Sequence, residues 1–125
     1  MPHCVLEYSA NVKDSVNFQQ FFSRLHELLA SSGEIQLDQL KSRWHCRDNY
    51  FIGDGNARNA FVYLQISLLT GRSLDTRKKL AAQAFELLTA QYPRSQRDLS
   101  CSITLEMREM ERDTHFKITK SSSPQ

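Results

Sequence analysis

The sequence predicts an α/β (α+β) domain in which two β-α-β units form a four-stranded sheet with two helices on one face. Three observations carry that expectation. HCVLEY (3–8), AFVYLQISLL (60–69) and SCSITLEM (100–107) alternate apolar and polar residues, the period of a strand. Two intervening stretches repeat apolar residues at the period of a helix. The segments then run strand, helix, strand, twice over.

The first strand alternates Cys4, Leu6 and Tyr8 against His3, Val5 and Glu7. A polar turn follows, and then Phe18, Phe21, Phe22, Leu25, Leu28 and Leu29 form one apolar stripe. Ser15 or Asn17 suits the N-cap of that helix, and Gly33 suits its end. Residues 38–52 mix Leu40, Trp44, Tyr50, Phe51 and Ile52 with many polar groups and read as an irregular strand. Gly53, Asp54 and Gly55 make a loop. The next strand has Val62, Leu64, Ile66 and Leu68 on one side and Phe61, Tyr63, Gln65 and Ser67 on the other. Ser73 is the expected N-cap of the second helix, whose stripe is Leu74, Leu80, Ala81, Ala84, Phe85, Leu87 and Leu88, with Pro93 as its stop. The last strand places Cys101, Ile103, Leu105 and Met107 on one face, and the charged run REMERD and the tail SSSPQ close the chain. Residues 1–118 are expected to form a single domain and 119–125 a disordered tail. Two helices cover only one face of such a sheet, and the other also carries Val and Tyr side chains, so an oligomer is expected.

Composition narrows the partners. With 125 residues, 16 basic and 14 acidic, the chain has a net charge of +2, too balanced to argue for nucleic acid or an anionic membrane. Three cysteines, an odd number without a CxxC pair, suggest neither a disulfide framework nor a zinc site, and no metal or organic cofactor is expected. No apolar run reaches the ~20 residues of a membrane span, and the start lacks the pattern of an export signal, so a cytoplasmic protein is expected.

The chemistry-bearing candidates are few. Pro2 follows the initiator Met1 directly, and if Met1 is removed its nitrogen becomes a secondary amine. An exposed α-amino group has a pKa of about 8, so a base near neutral pH needs apolar walls and nearby cations to lower it. The plainer reading is that Pro2 opens an edge strand, where a missing N–H is harmless. KSRWH puts Lys41, Arg43 and His45 on one strand face, either a solvated face or a carboxylate site. Arg72, in TGRS, sits where the most apolar strand ends and a helix begins, a place that favours anions.

These residues resemble the 5-carboxymethyl-2-hydroxymuconate isomerase family of the tautomerase superfamily. The features that carry the resemblance are PH leading into a strand that ends near Glu7, KSRWH as a basic strand, DGNARNAFVYLQI (54–66), and GRS followed by the helix with FELL (85–88). The likeness spans roughly residues 2 to 117. It implies a tautomerase-like homotrimer and a cofactor-independent keto–enol tautomerase acting on a small carboxylated 2-hydroxydienoate. The leading substrate is 5-carboxymethyl-2-hydroxymuconate, in homoprotocatechuate breakdown. Carried over, Pro2 is the general base and acid, and Arg72, Lys41 and Arg43 bind substrate. Lys41 stands where the family usually has arginine; it keeps the charge and loses the bidentate fork. Two other readings belong to different classes. One is a member with changed or lost activity that serves as an oligomeric binding protein. The other is an RNA-binding domain of the same element order, for which RNAFVYLQ (58–65) is a poor match to the aromatic RNA-contacting strand.

Overall fold

The computed structural model of the chain describes residues 2–120. Four strands, β1 (His3–Ser9), β2 (Lys41–Arg47), β3 (Asn59–Leu69) and β4 (Ser100–Met110), lie in the order β2-β1-β3-β4. β1 runs parallel to β2 and antiparallel to β3, and β3 runs parallel to β4. Helices α1 (Phe18–Ala30) and α2 (Leu74–Thr89) complete the two β-α-β units, and α3 (Pro93–Asp98) leads into β4.

The alternation seen in the sequence sets the faces. Cys4, Leu6, Val62, Leu64, Ile66 and Leu68 point to one side of the sheet and are buried there under Phe21, Phe22, Leu25 and Leu29 of α1 and Leu80, Ala84 and Leu88 of α2. Cys101, Ile103, Leu105 and Met107 of β4 pack against the same core. Asn17 caps α1 by accepting from the Gln20 amide, and Ser73 caps α2 by accepting from the Thr76 amide, as short polar side chains do at these positions. In α2 the buried stripe is narrower than the sequence suggests: Leu74 and Phe85 are 53% and 40% exposed.

Three elements depart from the sequence reading. The expected strand over 38–52 is confined to Lys41–Arg47, because Leu37–Gln39 closes a 3-10 turn and the chain leaves the sheet after Arg47. Pro93 does more than stop α2: it opens α3, at the position where a missing N–H costs nothing. The Asp14 carboxylate caps α3 from across the fold, taking the amides of Arg94 and Ser95 at 2.9 and 2.8 Å. The first half of the charged run after Met107 is strand, since β4 follows β3 in register as far as the pair Leu69–Met110. The tail expected at 119–125 falls mostly on 121–125, which lie outside the described residues.

The face without helices carries Val5, Phe61 and Tyr63, all partly exposed, among polar groups. Glu7 pairs with Arg47 at 2.6 Å, and Glu106 accepts from Tyr63 at 2.6 Å and from Arg108 at 2.9 Å. Among the described residues no helix is long and apolar enough to cross a membrane, and no group of three or more His, Cys, Asp or Glu could hold a metal ion.

Candidate active site

Topology brings one end of every strand to the same place. β1 is antiparallel to β3, so its first residue, His3, pairs with Ser67 near the end of β3. β4 is parallel to β3 and ends beside it, and β2 begins beside His3. The start of β1, the ends of β3 and β4 and the loop before β2 therefore converge. There they form a cleft of about 220 Å³ lined by Pro2, Ile35, Leu69, Arg72 and Arg112, with Glu34, Gln36 and Gln39 completing it.

Pro2 is buried in this cleft, on the side of the sheet that faces the helices. Its carbonyl accepts the amide of Lys41 at 3.2 Å, which ties it to the start of β2. β1 is an interior strand, so the reading of Pro2 as the opening of an edge strand is set aside. A proline is accommodated because it precedes the first paired residue of the ladder, where no N–H is called for. The walls come from the loop after α1. Gly33, at φ +79°, turns the chain, a conformation that glycine adopts without strain. Ile35 then drops into the core at 3% exposure.

Arg72 reaches the cleft because Gly71, at φ +127°, turns the chain sharply after β3. Its guanidinium donates to the Leu69 carbonyl at 3.0 Å and to the Glu34 carbonyl at 2.8 Å, clamping the loop after α1 onto the end of β3. Its Nε is buried and has no hydrogen-bond partner among the described residues. Arg112, from the turn after β4, donates through Nε to the Thr70 carbonyl and shares the cleft. The sequence reading passed over it as one more charge in REMERD, and did not single out Glu34, Gln36 or Gln39. A search for cations near the ends of parallel neighbouring strands is the signal that could have found Arg112.

Lys41 and Arg43 do not line this cleft. They are exposed on the helix-free face, because Lys41 pairs with His3 and Arg43 with Val5, both of which point away from the helices. Arg43 lies 3.0 Å from the Nδ1 of His3. The His3 imidazole is held below its ordinary pKa, first by burial and then by the charges of Arg43, Lys41 and His115. A basic patch thus sits behind Pro2, across the sheet from the cleft. Of the four sequence candidates, then, Pro2 and Arg72 come together, and Lys41 and Arg43 form a separate pair next door.

A buried prolyl position with two apolar walls and the Arg72 guanidinium in the same cleft is suited to moving a proton on a small anion. The likenesses to known proteins are specific. The family model described as 5-carboxymethyl-2-hydroxymuconate isomerase matches residues 2–122. The 5-carboxymethyl-2-hydroxymuconate Delta-isomerase of Escherichia coli is 26% identical over 117 residues, which are 94% of this chain and 93% of that protein. The crystal structure of a 5-carboxymethyl-2-hydroxymuconate isomerase from Deinococcus radiodurans R1 has a TM-score of 0.87 at 21% identity, covering 95% of this chain and 90% of that one. A fused 4-OT symmetric trimer has a TM-score of 0.67 at 13% identity, covering 97% of this chain and 94% of that one.

Proposed function

We propose that this chain, which belongs to the 5-carboxymethyl-2-hydroxymuconate isomerase family and is an isomerase of the tautomerase superfamily, interconverts enol and keto forms of a carboxylated 2-hydroxydienoate with Pro2 as base and acid. The observation that carries the reading is the burial of Pro2 beside Arg72 in a cleft with the apolar walls Ile35 and Leu69. With Met1 removed, the Pro2 nitrogen is a secondary amine. Burial and the neighbouring Arg72 guanidinium both favour its neutral form, lowering its pKa from the α-amino value of about 8 towards the working pH.

The steps follow. The neutral amine takes the hydroxyl proton of the dienol, and the negative charge spreads over the conjugated system. The resulting ammonium returns the proton to carbon, giving the ketone and restoring the amine. No net electron or atom is gained. General acid–base transfer of this kind contributes about 10²- to 10⁴-fold, and a fixed cation facing the dienolate adds electrostatic stabilisation. Arg72 supplies that charge from a position held by two carbonyls. The substrate that best fits the family is 5-carboxymethyl-2-hydroxymuconate, which would place the enzyme in homoprotocatechuate breakdown. Lys41 and Arg43 then act as carboxylate-binding cations in a homotrimer, where the helix-free face meets neighbouring copies. Phe51, Phe116 and Ile118, 79%, 90% and 94% exposed, support such an assembly, since a lone chain leaves them in water.

The test pairs intact mass with kinetics. Mass spectrometry should find Met1 absent, and ultraviolet absorbance should follow ketonisation of 2-hydroxymuconate-type dienols by wild type and Pro2→Ala. A loss of about 10²-fold or more in kcat for Pro2→Ala, at unchanged oligomeric state, is the expected result. Equal rates would remove Pro2 from the mechanism. A processed wild type inactive on every dienol would favour a silent, binding member of the family.

A further inference from the structure

Arg72 and Arg112 share the cleft yet present their donors differently. Arg72 commits both terminal nitrogens to the carbonyls of Leu69 and Glu34. Arg112 is anchored through Nε alone, to the Thr70 carbonyl, and its two terminal nitrogens donate to no other group among the described residues. The anchor gives the side chain a fixed seat. A Cβ at Gly71 would lie 3.4 Å from Nη2 and 3.6 Å from Nε of Arg112, so the guanidinium rests directly on the turn that a glycine keeps low. Arg112 is exposed at the rim while Pro2 is buried within. The same cleft also has the apolar residues Ile35 and Leu69 in its lining.

We propose that Arg112 is a specificity-determining residue of this cleft: its free fork seats a second carboxylate of the substrate, at the end remote from the enol, so that the enzyme selects dianionic over monoanionic enols. The inference rests on the tautomerase reading of Pro2. A guanidinium whose terminal nitrogens are free and coplanar matches a carboxylate with two parallel hydrogen bonds, which a lysine does not reproduce. The apolar part of the cleft lining, Ile35 and Leu69, suits the conjugated hydrocarbon that joins the two ends of such a molecule.

The experiment compares a dianionic enol, 2-hydroxymuconate, with a monoanionic one, 2-hydroxypenta-2,4-dienoate, for wild type, Arg112→Gln and Arg112→Lys. An exposed but bidentate pair near the top of the surface range, about 1 kcal/mol, corresponds to about fivefold. KM for 2-hydroxymuconate should therefore rise by about that factor in Arg112→Gln, with kcat little changed, and partly recover in Arg112→Lys. Both constants for the monoanion should stay within about twofold. Equal losses on both substrates, or none on either, would overturn the proposal. Calorimetric titration of muconate and sorbate, the corresponding dicarboxylate and monocarboxylate without an enol, separates it from the Pro2 reading. A preference for muconate that Arg112→Gln abolishes would uphold the carboxylate seat even in a protein without tautomerase activity. Equal binding of the two acids by the wild type would refute the seat even if Pro2 proved catalytic.

Discussion

Replacing Arg72 by methionine removes a clamp and a charge together, and the two effects are separable. The lost hydrogen bonds are those to Leu69 and Glu34, at 3.0 and 2.8 Å. Bonds from a charged donor contribute about 1.5–3 kcal/mol when shielded. The Glu34 carbonyl is in contact with water and the Leu69 carbonyl only partly shielded, so about 1 kcal/mol each is the better figure. A loss of about 2 kcal/mol in a chain of this size lowers Tm by roughly 6–10 °C. If Arg72 also stabilises the dienolate, kcat should fall by about 10²- to 10³-fold, the usual cost of removing one group that faces developing charge. Arg72→Lys keeps the charge but cannot reach both carbonyls in one geometry, so it should recover activity more than Tm. Thermal unfolding by circular dichroism and ketonisation kinetics read the two effects. A Tm within 1 °C of wild type in Arg72→Met would refute the clamp. A kcat/KM within about threefold of wild type would refute the role in charge stabilisation.

Other outcomes follow from particular contacts. Asp14→Ala removes the cap of α3 and the partner of the buried Ser95 hydroxyl, and should cost about 1–2 kcal/mol in denaturant unfolding at pH 7. Burial alone would raise the Asp14 pKa, but the Ser95 hydroxyl, the amides of Arg94 and Ser95 and the Arg94 charge outweigh it and hold the carboxyl below its ordinary 3.8. Its contribution is therefore complete above the unfolded pKa and is lost as the pH falls through the lower, folded one. The stability gap between wild type and Asp14→Ala should narrow as the pH falls through the folded pKa, and a gap that stays constant with pH would count against this account. The thiols should differ in reactivity. Burial pushes Cys4 up to about 11 despite the opposing Ser42 hydrogen bond and Arg43 charge, and Cys46 is exposed. With iodoacetamide at pH 8, peptide mapping of the native protein should find Cys46 modified first and Cys4 only after denaturation. Comparable rates at the two would show that the core around Cys4 opens readily.

How much was legible follows from how local each determinant is. The faces of β1, β3 and β4 could be read because side chains alternate along any strand, whatever it pairs with. The caps at Asn17 and Ser73 act over three residues and are visible for the same reason. The limits of β2 were not legible. Its exposed side carries Lys41, Arg43 and His45, and it ends where pairing with Ser9 ends, a property of the partner strand. Nor was α3, whose cap, Asp14, stands 80 residues from Arg94 in the chain.

The same division runs through the candidate site. By itself the sequence determined the β-α-β order, the buried face of the sheet, the proline at the second position and the arginine at the turn into α2. Only the tertiary structure decided which cations meet that proline. The antiparallel pairing of β1 with β3 carries Arg72 to Pro2, and the parallel pairing of β3 with β4 carries Arg112 there too. The register of Lys41 on His3 turns Lys41 and Arg43 to the opposite face. Strand register is set by long-range packing and not by local preference, and a shift of one residue reverses every side chain. The residues of the cleft are therefore written in the chain, but their meeting is a property of the fold.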